Sequence, residues 1–191
     1  MKMAKKLLAV VLAGVLALSV LTGCGNAAST KTIADAMSDM GKNEGIVYKA
    51  DPKLNEKARL IAEKLSTYED EEESLAAMLE EDKEEGSEGN LEEEIPAIVM
   101  DIMGSDYKDK FVYIAETETK GYNATAQAYT LLEALYGGDD DGNINSAVVG
   151  KGKKPANVRY IGTATIEVEG ETWRIAVVTA DAEEVKKPEK N

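Results

Sequence analysis

Tyr160-Ile161-Gly162-Thr163-Ala164-Thr165-Ile166-Glu167-Val168, then Glu169-Gly170, then Thr172-Trp173-Arg174-Ile175-Ala176-Val177-Val178-Thr179: this stretch decides the fold. In its first half the residues alternate, placing Ala164, Ile166 and Val168 on one side. Glu169-Gly170 is a turn, and in the second half Trp173, Ile175 and Val177 fall together with Arg174 opposite. Alternation with period two on both sides of a tight turn predicts an antiparallel hairpin with one face packed on helices.

Working outward, Ala180 to Asn191 reads as a polar, frayed tail. Upstream, Ala128, Leu131, Leu132 and Leu135 form one apolar face, so a helix is predicted from about Ala124 to Tyr136. Asn123 or Thr125 can cap it and Gly137 ends it. Tyr129 and Tyr136 lie on one side of this helix, as core edge or as a platform for a ligand. Phe111-Val112-Tyr113-Ile114-Ala115 is β-branched and aromatic and predicts a strand. Ile95 to Met103 predicts another helix, stopped by Gly104. Asp51-Pro52 is a helix start, and Leu54, Ala58, Ile61, Ala62 and Leu65 carry the apolar face to about Ser66. Helices, a strand, a helix and then a hairpin predict an α+β fold with helices against an antiparallel sheet.

Between the first two helices, Glu69 to Glu94 holds fourteen acidic residues and one lysine, Lys83. Charge runs of this kind read as solvated insertions, or as cation-attracting arms. Residues 24–45 read as a flexible tether, small and polar at Asn26-Ala27-Ala28-Ser29-Thr30, with a weak helical stretch at Ile33-Ala34-Asp35-Ala36-Met37. The single domain is then expected at 46–180, with the polar tail at 181–191.

Composition narrows the chemistry. The chain has no histidine and one cysteine, Cys24. Ser-His-Asp and Cys-His catalysis, histidine-ligated zinc and internal disulfides are therefore excluded. Carboxylate-pair hydrolysis is left, but 36 acidic residues do not reveal which pair would act. The formal charge of −14 argues against nucleic acid as a partner, since phosphates demand Lys and Arg.

Three features carry candidate chemistry. Glu116 and Glu118 end the central strand, share a face, and are the candidate pocket residues, or else a solvated strand end. Asp139-Asp140-Asp141-Gly142-Asn143-Ile144-Asn145 places Asp139, Asp141 and Asn145 at ligand positions of a calcium loop. Both anchoring carboxylates of such a loop are missing, at Gly137 and Val148, so only weak calcium binding is expected, and a polar surface loop is the alternative. No cofactor is required. Lys151-Gly152-Lys153-Lys154 is the only basic cluster in the acidic domain and reads as local charge balance.

The N-terminus addresses location. Lys2, Lys5 and Lys6 precede an apolar run from Leu7 to Leu21, which is too short for a spanning helix and fits a secretory signal. Leu21-Thr22-Gly23-Cys24 resembles the lipobox of bacterial lipoproteins. That resemblance implies a signal peptide over 1–23, cleavage before Cys24, and lipid on Cys24. Residues Cys24 to Asn191 number 168, one domain's worth, and loss of three signal lysines takes the charge from −14 to −17. A chain so acidic is repelled by anionic headgroups, so the lipid must hold it at the membrane.

The order of elements over 46–180 resembles a divergent CAP (SCP-like) domain. Asp51 to Ala58 resembles that family's opening helix, Ile114-Ala115-Glu116-Thr117 its "GEN" strand, and Thr125 to Tyr136 the helix that follows. Tyr160 to Ala164 and the Trp173 strand resemble its closing hairpin. The resemblance implies a three-layer α-β-α sandwich. It implies a cavity in which Glu116, or Glu118 in a shifted register, would be a glutamate. The family's cavity histidines have no counterpart here, which removes its metal site. The sequence thus predicts a lipid-anchored, extracytoplasmic domain that binds an unidentified ligand at the cell surface or wall. A carboxylate-dependent hydrolase and a weak calcium-dependent adhesion or scaffolding module are the alternatives.

Overall fold

The computed structural model describes residues 28–66, 91–136, 143–148, 152–168 and 171–185. Four helices and four strands occur among them: α1 (Thr30–Gly41), β1 (Val47–Ala50), α2 (Pro52–Ser66), α3 (Leu91–Met103), β2 (Lys110–Glu118), α4 (Ala124–Tyr136), β3 (Lys153–Val168) and β4 (Glu171–Glu184). The strands form one sheet in the order β1-β3-β4-β2. The hairpin β3–β4 is antiparallel and β2 pairs antiparallel with β4 from Lys110↔Asp181 to Glu118↔Trp173.

Helices cover both faces, so the architecture is an α+β sandwich of three layers. On one side α2 and α3 bury Leu54, Ala58, Ile61, Val99 and Met103 against Val112, Ile114, Ile166, Ile175 and Val177. On the other side α1 and α4 bury Ile33, Met37, Leu131 and Leu135 against Tyr113, Ile161, Ala176 and Val178. The hairpin is therefore packed on two faces rather than the one its alternation implied. The reason lies in β4, where Ala176, Val178 and Ala180 are as apolar and as buried as Ile175 and Val177. A strand covered on both sides reads as a continuous apolar run. The same burial corrects the tail: β4 continues to Glu184, with Ala180 fully buried.

The tether is also corrected. Ala28 is buried, and residues 30–41 are a packed helix with Ile33, Ala34 and Met37 buried. Ser29 starts it with a reciprocal capping box: Ser29 Oγ accepts from Thr32 N at 3.1 Å and Ser29 N donates to Thr32 Oγ1 at 2.9 Å. Small, polar composition concealed this helix, because its apolar face is only three residues wide. Gly45, at φ 72°, then turns the chain into β1, which runs parallel to β3 with Val47 opposite Val158. Four residues were too few to register as a strand in the sequence. Its outer edge is satisfied by α1: Tyr48 N donates to Ser38 Oγ at 2.8 Å, and Ser38 Oγ donates to Tyr48 O at 3.1 Å.

α2 has the bounds its periodicity predicts, with Asp51 Oδ1 accepting from Lys53 N at 2.9 Å and Pro52 in the first turn. Its seat on the sheet is Gly162. A Cβ there would lie 2.0 Å from the Leu54 carbonyl carbon and 2.3 Å from Asn55 N, so only glycine admits the helix. This close approach lets α2 continue the hydrogen bonding that β1 begins. Asp51 N donates to Ile161 O at 2.9 Å, and Thr163 N donates to Asn55 Oδ1 at 2.9 Å. A side-chain carboxamide thus replaces the next residue of the strand. The acidic block at 69–90 lies outside the described residues, and its last residues, Glu92 to Glu94, belong to α3.

Candidate functional site

Glu116 stands on β2 two residues beyond Ile114, on the face covered by α2 and α3. Its neighbours across the sheet are Ile175 on β4 and then Ala164 on β3. A carboxyl in an apolar row has no neighbouring hydrogen-bond donor to stabilise its charge, and Glu116 Oε2 is buried without a partner among the described residues. Burial pushes its pKa up to about 9. At neutral pH Glu116 is therefore an uncharged carboxylic acid, able to donate its proton to an acceptor. Perturbed carboxyls in partly accessible positions mark candidate sites. Glu118 shares this face, as its spacing predicts, beside Trp173 and Ile166, but it is exposed at the strand end. Along a strand, residues two apart are about 7 Å apart.

The helical layer over this face carries a groove of about 780 Å3 between α2 and α3. Leu60, Ala97, Ile98 and Ile102 give it apolar walls, and Glu63, Lys64 and Asp101 charge its rim. Lys57 Nζ donates to Ile102 O at 2.6 Å, joining the helices at one end.

A second polar centre lies on the opposite face, and sequence reasoning placed only one of its members, Arg174, opposite the Trp173 row. Arg174 is buried with no carboxylate among the groups described around it. Its Nε donates to Gln127 Oε1 at 2.8 Å, Nη1 to Thr163 Oγ1 at 3.0 Å and Nη2 to the Ala28 carbonyl at 2.6 Å. Thr163 and Thr30 hydroxyls meet at 2.7 Å, and Thr30 Oγ1 donates to Asn55 Oδ1 at 3.0 Å. One chain of bonds therefore ties α1, α2, α4 and the hairpin together. Desolvation lowers the Arg174 pKa to about 10, which leaves it charged at neutral pH. Nothing in the local sequence distinguished this arginine from an exposed one, since its three partners come from three other segments.

Arg159 is buried farther down the same face. Its guanidinium lies 4.7 Å from the Tyr136 ring centre and 5.8 Å from that of Tyr48, whose hydroxyl accepts from Nη1 at 3.3 Å. The two tyrosines of α4 therefore part company: Tyr136 packs in the core layer, while Tyr129 is exposed.

Of the calcium-loop residues, Asp139 and Asp141 lie outside the described residues. Asn145 is buried and acts as a strut. Its Nδ2 faces the carbonyls of Tyr107, Lys108 and Lys110 at 3.2, 3.0 and 2.7 Å, and its Oδ1 accepts from Ala147 N at 3.1 Å. Three surrounding carbonyl oxygens fix the nitrogen inward, so Asn145 holds the loop to β2 rather than presenting its oxygen to a cation. Among the described residues no group of three or more acidic, cysteine or histidine side chains is placed to hold a metal. Cys24 precedes the described residues, and Lys151 falls in the gap before β3.

Comparison with known proteins finds no match: no family model, no curated protein and no solved structure is significantly similar to this chain.

Proposed function

We propose that this chain is a lipid-anchored extracytoplasmic lipoprotein whose folded domain binds a ligand at the cell surface or wall. The observation that carries the anchor is the N-terminal sequence itself: Lys2, Lys5 and Lys6, the apolar run from Leu7 to Leu21, and the lipobox-like ending Leu21-Thr22-Gly23-Cys24. Cleavage before Cys24 removes none of the elements described. Binding is supported by Glu116, a neutral acid whose buried Oε2 has no hydrogen-bond partner among the described residues and which is suited to donating to a ligand carbonyl or hydroxyl. The CAP-like kinship belongs to this reading. It is supported by Pro52–Ser66 and Ala124–Tyr136 covering opposite faces of the sheet that contains Glu116.

The test is expression of the full chain in a lipoprotein-processing bacterium. Wild type is expected in the membrane fraction, with the mass of the mature chain plus lipid. Cys24→Ser is expected in the soluble extracytoplasmic fraction or as unprocessed precursor. Wild-type protein retaining residues 1–23 and no lipid overturns the anchor.

One observation favours a second reading, a carboxylate-dependent hydrolase. Glu116 has the raised pKa of a general acid, and Glu118 lies on the same face at about the spacing of a carboxyl pair. Turnover of a glycan by wild type that vanishes in both Glu116→Gln and Glu118→Gln establishes it. No turnover across a glycan panel returns the binding reading.

A further inference from the structure

A groove on the α1 and α4 side of the sheet, away from Glu116, collects the exposed aromatic side chains. It encloses about 640 Å3 and is lined, among the described residues, by Met40 of α1 and by Tyr122, Asn123, Thr125, Tyr129 and Thr130 of α4 and the turn before it. Tyr129 is 59% exposed, Tyr122 44% and Met40 38%. One exposed apolar side chain is ordinary, but three around one groove mark a contact surface. Tyr122 and Tyr129 are seven positions apart, which is about 10 Å along the axis of α4.

The turn that carries Tyr122 is fixed from inside. Tyr122 N donates to Thr119 O at 3.2 Å, and Tyr122 O accepts from Gln127 Nε2 at 2.9 Å. Gln127 is buried, and its Oε1 accepts from Arg174 Nε at 2.8 Å. The buried arginine therefore orients a carboxamide that holds the backbone of an exposed tyrosine. A turn already in place loses little entropy when a ligand arrives. The polar lining is only partly used by the fold. Asn123 Oδ1 accepts from Ala126 N at 2.9 Å and Thr130 Oγ1 donates to Ala126 O at 3.2 Å. That leaves Asn123 Nδ2 as a donor, Thr130 Oγ1 as an acceptor, and the hydroxyls of Thr125 and the two tyrosines as both.

Charge selects the class of ligand. Asp, Glu, Lys and Arg make up 30% of the chain, yet none of the described lining residues is charged. An ionic partner finds no counter-charge there, and an anionic polymer is repelled by a chain of net charge −14. Rigid aromatic faces beside hydroxyl and carboxamide groups suit a ligand with apolar C–H faces and a rim of hydroxyls, which is the chemistry of a pyranose ring. We propose that this groove is a subsite for a neutral glycan chain. Tyr122 and Tyr129 stack on sugar rings along the chain, and Asn123, Thr125 and Thr130 bond their hydroxyls. The inference names a ligand class for the binding reading above and rests on it, but does not depend on the anchor.

The test is calorimetric titration of the full chain, purified in mild detergent, with cellohexaose and chitohexaose, and with hexagalacturonate as the anionic control. At least one neutral hexasaccharide is expected to bind, and hexagalacturonate is not. Affinity is expected to fall about tenfold or more in Tyr129→Ala and in Tyr122→Ala, and to be largely kept in Tyr129→Phe, which retains the ring. Both tyrosines are exposed, so the variants should keep the wild-type circular dichroism spectrum. Binding that ignores both tyrosines but disappears in Glu116→Gln moves the ligand to the other face; it overturns this groove and leaves the binding reading standing. Binding of neither neutral hexasaccharide overturns the inference, as does preference for hexagalacturonate. Cross-linked dimers that Tyr129→Ala abolishes, with no glycan bound, make the groove an interface between copies and overturn it too. Shorter sugars released during the titration, seen by chromatography, make the chain a hydrolase and overturn the binding reading itself.

Discussion

Replacing Glu116 by glutamine is expected to stabilise the protein, by an amount that grows with pH. Glutamine keeps the shape and a hydrogen-bond donor but cannot ionise. In the folded state Glu116 holds its proton up to about pH 9, whereas the unfolded chain releases it near the ordinary value of 4.5. The sign follows from proton linkage. Between those two values the unfolded state binds fewer protons, so stability falls as pH rises. Each pH step in that window costs about 1.4 kcal/mol. From pH 4.5 to pH 7 the loss is about 3 kcal/mol, and by pH 9 about 6 kcal/mol, large against a typical total of about 5–15 kcal/mol. Below pH 4.5 both states are protonated and the contribution is fully retained. The assay is urea unfolding of wild type and Glu116→Gln from about pH 4 to pH 9, followed by circular dichroism. The two proteins are expected to be within about 1 kcal/mol of each other at pH 4 and to diverge steadily above it, with glutamine the more stable. A difference that stays flat with pH refutes the argument, because it means that Glu116 ionises alike in both states.

Gly162→Ala is expected to cost about 3 kcal/mol or more, since the new methyl meets the α2 backbone and displaces both the helix and the Asn55–Thr163 bond. At about 2–4 °C per kcal/mol for a domain of this size, calorimetry should show a melting temperature lower by roughly 6–12 °C. Arg174→Met strands the Gln127, Thr163 and Ala28 acceptors and should cost about 3–5 kcal/mol, while faster amide exchange at the start of α1 reports release of Ala28. Asn145→Ala removes the strut between its loop and β2 and should lower stability by about 1–3 kcal/mol in urea unfolding. Ser29→Ala removes the α1 cap, at about 1 kcal/mol by the same assay.

The long elements were legible because each repeats its own signal. α2 and α4 carry four or more apolar residues at helical spacing, and the hairpin alternates over two strands. What was missed is short or depends on partners far along the chain. β1 has four residues and is defined by pairing with β3, and α1 has a narrow apolar face that acquires meaning only against α4. At the site, the sequence placed Glu116 and Glu118 on one face, since strand geometry demands it. It had no access to their unequal burial, which is set by the helices above them. The Arg174 network was illegible for the same reason: Ala28, Thr30, Asn55, Gln127 and Thr163 share no motif, and the sheet alone brings them together.

The bond between Arg174 and Ala28 closes a loop spanning 146 positions, and Arg159 meets Tyr48 across 111. Loop closure over such separations comes late in folding, because its entropy is lost before the contact rewards it. The first helix and first strand are thus synthesised long before the arginines and strand that fix them exist. The contacts that lock α1 and β1 into the fold wait for the final fifth of the polypeptide, so for these two elements order of appearance and order of assembly run in opposite directions.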